Sequence, residues 1–145
     1  MFRGNHPARV DEKGRLKLPA AFKARVDEQY GPQFFITSKD GKRAEVFPMQ
    51  EWEKIEAAIV AMPSSPAKKR FLDVTNYYGQ VVEMDGQGRV LIPQLLRESA
   101  ALNGDAAVLG LQTYLAVVND ERQRSALAED PLTDADIAAL GVVGI

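Results

Sequence analysis

Residues Val10–Pro19, VDEKGRLKLP, are written a second time as Met84–Pro93, MDGQGRVLIP, 74 residues further on. The two stretches align without a gap: an apolar residue, Asp, two variable residues, Gly, Arg, three residues of strand character, and Pro. Self-similarity on this scale signals a fold built from repeated supersecondary units. Within each copy, Asp followed three residues later by Gly is turn chemistry, because the Asp side chain bonds nearby backbone and Gly accepts positive φ. Leu16 and Leu18 alternate with Arg15 and Lys17, the period-two pattern of a half-buried strand, whereas Val90-Leu91-Ile92 reads as a strand buried on both faces. Pro19 and Pro93 suit the first turn of a helix, where the absent N–H is not missed. Each copy therefore predicts strand, turn, strand and helix.

Working outward, Gln33–Thr37 and Ala44–Phe47 flank a segment containing Asp40-Gly41, which predicts a hairpin, and Ala107–Leu111 and Tyr114–Val118 form its shorter counterpart around Gln112-Thr113. After Pro48, the residues Met49, Trp52, Ile55, Ile59 and Met62 recur at helical spacing and stop before Pro63. Pro63-Ser64-Ser65-Pro66 breaks the chain, and Ala67–Tyr77 reads as a basic-headed connecting helix. Asn119–Ala128 predicts a more polar helix, and Thr133 or Asp134 can start a last short one. This divides the chain into repeat 1 at residues 5–50, a helical connector at 51–79, repeat 2 at 80–123 and an acidic tail at 124–145. The fold class is mainly β with flanking helices, α+β.

Composition narrows the functional classes. The 145 residues are 46% hydrophobic, enough for one core, and contain no cysteine, so disulfides and thiolate metal sites are excluded. No apolar run approaches the roughly 20 residues of a membrane span, and Met1-Phe2-Arg3-Gly4 leads straight into patterned sequence, so a cytoplasmic protein with no membrane partner is expected. The net charge of −2 hides a gradient. Arg3, Arg9, Lys13, Arg15, Lys17, Lys23 and Arg25 face only Asp11 and Glu12 in the first 25 residues, and the balance reverses after Asp120. One face meeting phosphates, or ordinary solvated charge, are both open readings.

Catalysis has little to work with. The one histidine, His6, stands beside a proline near the N-terminus and reads as a packing or surface residue. Asp11 and Asp85 each precede an arginine by four residues; a neighbouring guanidinium lowers a carboxyl pKa, so they suit turn formation and arginine orientation better than acid–base chemistry. Gly86-Gln87-Gly88 lacks the Lys-Ser/Thr ending of a phosphate loop. The aromatic residues Phe34, Phe35, Phe47, Trp52, Phe71, Tyr77 and Tyr78 fall at strand or helix spacing and are expected to pack in the core or at a subunit contact rather than to form a base-stacking platform. No enzyme, cofactor or metal is expected. Arg15 and Arg89, each following a turn glycine, are presented from equivalent places, and a guanidinium can bind phosphate or read guanine in a major groove. Alternatively each closes a salt bridge with its own Asp. Copy one adds Arg3, Arg9, Lys13 and Lys17 around its turn, whereas copy two adds Arg97, so copy one is expected to dominate any contact with DNA.

The MFRG start followed by two D-x-x-G-R-x-x-x-P units resembles the MraZ family of bacterial transcriptional regulators over about Met1–Asn119, within the wider SpoVT/AbrB-like group. The resemblance implies a swapped-hairpin β-barrel closed within one chain, and a ring-like homo-oligomer at the nucleoid. It also implies binding of double-stranded DNA at direct repeats in the promoter of the protein's own division and cell-wall operon, usually as a repressor. It places DNA contact on Asp11 with Arg15 and on Asp85 with Arg89. With the turn glycines Gly14 and Gly88 and the nearby cations Lys13, Lys17 and Arg3, these form the candidate DNA-binding set. The alternative is a ring-forming structural or regulatory protein whose main partner is another protein.

Overall fold

A computed structural model covering residues 1–145 shows that the two copies exchange strands rather than fold side by side. The strands are β1 (Phe2–Val10), β2 (Arg15–Lys17), β3 (Gln33–Thr37), β4 (Ala44–Pro48), β5 (Gln80–Glu83), β6 (Arg89–Leu91), β7 (Gly104–Gln112) and β8 (Tyr114–Val118). They form one antiparallel sheet in the order β5-β3-β4-β8-β7-β1-β2-β6. Strand β1 of the first copy pairs along its whole length with β7 of the second, and β5 of the second copy pairs with β3 of the first. The outermost strands, β5 and β6, come into contact, so the sheet curls into a nearly closed barrel with little free edge.

The repeated stretch lies where the copies meet. Strands β2 and β6 pair with Leu16 opposite Val90, two residues 74 apart in sequence, so a local two-fold axis passes between them. Beyond the strand ends the pairing continues across the copies: Leu18 N–H donates to Gly88 C=O at 2.9 Å, and Ile92 N–H donates to Gly14 C=O at 3.0 Å. Leu16, Leu18, Val90 and Ile92 are all buried in the one main core, with Phe22, Val26 and Leu96 from the helices that follow. Burial of each such aliphatic side chain contributes about 1.5–3 kcal/mol, so four at one junction rival the whole net stability of a domain.

Six helices complete the fold: α1 (Ala20–Gln29), α2 (Met49–Val60), α3 (Pro66–Tyr77), α4 (Gln94–Ser99), α5 (Asp120–Glu129) and α6 (Asp134–Leu140). Helices α1, α2 and α4 each leave a strand through a proline at the N-cap, with φ between −53° and −51°. This corrects the expectation that Pro19 and Pro93 are first-turn residues; the fixed extended-to-helix corner, not the missing N–H, is what proline supplies here. Trp52 of α2 stacks on Phe35 (4.7 Å between ring centroids), leans on Phe47 (5.0 Å) and faces Phe71 of α3 (6.3 Å), making a second apolar layer outside β3 and β4. Tyr77, at the C-terminal end of α3, lies outside the core, 67% exposed with its ring edge-on to Tyr78 at 5.2 Å.

Two further differences have clear causes. Strand β1 is much longer than β5 because β7 offers it a nine-residue partner, whereas β3 offers β5 only a short one. Leu91 is 49% exposed rather than buried, because β6 alternates like β2 and turns Val90 inward and Leu91 outward. The expected outcome in thermal or urea unfolding follows directly. Leu16→Ala should lower stability by about 2–5 kcal/mol, and Leu91→Ala should stay within roughly 0.5 kcal/mol of the wild type.

Candidate nucleic-acid interface

Both Asp-x-x-Gly-Arg segments fold into the same turn. In the first, Gly14 N–H donates to Asp11 C=O at 2.9 Å, Gly14 takes φ +85°, and Asp11 N–H donates to Arg15 C=O at 2.9 Å. The Asp11 carboxylate accepts three further bonds, from the backbone N–H of Lys13 (2.9 Å), that of Arg15 (2.8 Å) and Arg15 Nε–H (2.9 Å). The second turn repeats this with Gly88 at φ +78° and Asp85 accepting from Gln87 N–H (2.9 Å), Arg89 N–H (3.0 Å) and Arg89 Nε–H (2.9 Å). Glycine is required at both positions because the left-handed conformation closes the turn.

The two readings of Arg15 and Arg89 are therefore compatible. Each guanidinium is held by its own Asp, but only through Nε, and neither Nη makes a hydrogen bond within the chain. A guanidinium carries five N–H donors, so four on each arginine remain for a ligand. The side chains are 31% and 26% exposed, fixed at the base and open at the tip.

Register then brings the two arginines together. In the β2–β6 pair Arg15 lies opposite Leu91 and Lys17 opposite Arg89, all four on the outer face, while Leu16 and Val90 point into the core. Arg15 and Arg89 are thus diagonal neighbours, about 7–8 Å apart at Cα. Three cations gathered on a two-stranded ribbon, two of them held at Nε by Asp11 and Asp85, make a face of the kind that can sit against a phosphate backbone or enter a major groove. Lys13 flanks it on the first turn and is exposed.

Arg3 does not join this cluster. It sits near the start of β1, opposite Leu111, seven residues before the strand reaches Val10 beside β2, a distance of about 23 Å along the strand. Arg9 is engaged by Asp105 at 2.9 Å. His6 packs edge-on against the Phe22 ring at 4.7 Å, as a packing residue should. No group of three or more His, Asp or Glu side chains is placed to hold a metal ion. The sequence pattern did not show Leu91 on the outer face in the place of Lys17, and it marked Lys23 and Arg97 only as cations of the two copies, not as the side chains that cover the turn glycines. The equivalence of these last two positions, again 74 residues apart, was the available signal.

A nearly closed antiparallel barrel built from two copies in one chain, with paired turn arginines on one ribbon, defines a two-repeat domain of mixed α and β structure. The chain matches the family described as "MraZ protein, putative antitoxin-like" over residues 1–75 and 79–141. It is 62% identical to a protein of Acidobacterium capsulatum and 51% identical to one of Koribacter versatilis, with all of each chain covered. A protein of Chromobacterium violaceum is 32% identical over 89% of this chain and 88% of its own. All three bear the name transcriptional regulator MraZ. The chain belongs to the MraZ family, which consists of DNA-binding transcriptional regulators and not of enzymes.

The turns carry a pH signature. The backbone bond from Arg15 chiefly, together with the Arg15 side chain and the Lys13 N–H, lowers the Asp11 carboxyl below its ordinary pKa; Asp85 is lowered in the same way, chiefly by the backbone bond from Arg89. A carboxylate whose folded pKa is lowered contributes stability that is complete above the unfolded value of about 3.9 and lost as pH falls through the folded one. Carboxyl carbon shifts followed by NMR should therefore show both groups titrating below pH 3.9, and the turns should be indifferent to pH between 5 and 8. A midpoint at or above the free-aspartate value would mean that the bonds are not formed in solution.

Proposed function

We propose that this protein is a sequence-specific DNA-binding repressor that acts on the promoter of its own operon, reading direct-repeat boxes with the β2–β6 ribbon. The observation that carries this reading is the convergence of Arg15 and Arg89 on one exposed face, each anchored through Nε and free at Nη. In this reading Asp11 and Asp85 orient the arginines, Gly14 and Gly88 shape the turns, and Lys13 and Lys17 supply phosphate contacts. Arg3, remote from the ribbon, serves only a neighbouring stretch of backbone. Copy one is the more basic side, so Arg15 contributes more than Arg89.

The protein acts in the cytoplasm, at the nucleoid, as a ring-like homo-oligomer. Exposed Val60, Met62 and Leu72 on α2, α3 and the turn between them offer apolar surface for subunit contact. No helix is long and apolar enough to cross a membrane. A ring converts several modest sites into one avid one when its boxes are repeated along the DNA, because each box after the first is met at high effective concentration. The Asp–Arg bonds favour one competing reading, in which the pairs are purely internal locks of a ring whose partner is a protein.

Gel shifts with DNA from upstream of the gene separate the two. Arg15→Ala should abolish selective binding while the melting curve and the elution volume stay unchanged, and log K should fall by about 0.9 per phosphate neutralised as log salt rises. Loss of stability or assembly in Arg15→Ala, with no selective DNA binding by the wild type, would support the internal lock instead.

A further inference from the structure

Each turn glycine is covered by the helix of the other copy. Gly14 is buried, and any side chain added there would collide with the Arg97 guanidinium from α4; a Cβ at Gly88 would lie 2.8 Å from Cδ of Lys23, from α1. Lys23 and Arg97 are themselves equivalent, 74 residues apart, yet they behave differently. Arg97 Nη1 donates to Ile92 C=O at 3.0 Å and reaches Lys13 C=O, in the opposite copy's turn, at 3.4 Å. Lys23 Nζ turns back to Asp27 on its own helix at 2.6 Å and bonds nothing in the second turn. The cause lies in the sequence: the position equivalent to Asp27 is Ala101, so Arg97 has no such carboxylate to draw it away. Glu12 and Glu98 line the same concavity as Arg97, but neither forms an ion pair with it.

We propose that Arg97 is a positioning residue for DNA recognition: it fastens the Lys13–Gly14 backbone of the first turn from the opposite copy and so holds Arg15 ready on the ribbon. This rests on the DNA-binding reading above. The second turn, covered only by the methylenes of Lys23, is the looser of the two. A guanidinium suits the task because one planar nitrogen reaches carbonyls of both copies, while its net charge is spent on backbone dipoles rather than on a carboxylate. The apparent affinity of a site that is competent only part of the time falls by the competent fraction, so loosening the turn weakens binding without removing any contact with DNA.

Two measurements on the full chain test this. In the free protein, amide hydrogen exchange at Gly14 and Arg15 should accelerate by roughly tenfold in Arg97→Ala, with Ile36 and Val108 in the core strands unchanged. Lys23→Ala should disturb Gly88 and Arg89 less. On upstream DNA, Arg97→Ala should bind several-fold more weakly with the salt slope of the wild type, and Arg97→Lys, which keeps the charge but ends one bond short of the Nη1 position, should bind as weakly as Arg97→Ala. If Arg97→Ala does not fold, Arg97→Lys carries both measurements. A salt slope smaller by about 0.9 with unaltered turn amides would make Arg97 a phosphate contact and overturn the proposal. Wild-type affinity in Arg97→Lys would overturn it too, since charge alone would then suffice. Absence of selective binding by the wild type would sink the DNA reading instead, and unaltered exchange in Arg97→Ala would separately show that no clamp exists.

Discussion

The pairing of β2 with β6, Leu16 opposite Val90, is the contact from which the other features follow. It sits where the two copies meet, and with β4–β8 it is one of two places where equivalent strands of the two copies pair. Its inward side brings Leu16, Leu18, Val90 and Ile92 into one core; its outward side aligns Arg15, Lys17 and Arg89. Because side chains alternate along a strand, these two results are a single constraint, and a slip of one residue would bury cations and expose leucines. A register that stabilises the barrel is thus also the register that builds the basic face.

Anchoring follows the same economy. A buried turn glycine, a carboxylate accepting three N–H bonds and an arginine tied at Nε recur twice with bond lengths that agree within 0.2 Å. Such turns present a guanidinium without leaving it free to wander, which lowers the entropy lost on binding. The copies are nonetheless unequal. Leu91 replaces the counterpart of Lys17, and Arg97 bonds across where Lys23 does not. A pseudo-symmetric scaffold therefore carries an asymmetric outer face.

Much of this was legible in the sequence because the repeat is gapless. Asp11, Gly14 and Arg15 predict their turn from local chemistry, and the alternation around Leu16 predicts which side is buried. The hairpin of β3 and β4 and the helices after Pro48 and Pro66 were readable from Asp-Gly, proline and helical spacing. What local pattern could not supply was pairing between distant strands. The length of β1 depends on β7, and the exposure of Leu91 depends on which neighbour β6 meets. The meeting of Arg15 with Arg89 depends on a register between residues 74 apart. Arg97 was readable as a cation of the second copy but not as a partner of the first turn, since backbone carbonyls leave no mark on composition.

The central claim is that the two turns form one recognition site rather than two independent ones. A double-mutant cycle on upstream DNA tests it most directly, comparing the wild type with Arg15→Ala, Arg89→Ala and the double variant at one salt concentration. Side chains this close that share one stretch of DNA should couple, so the double variant should lose less than the sum of the single losses by about 0.5–3 kcal/mol. Losses that add to within about 0.5 kcal/mol would contradict the account and leave two separate sites in place of one.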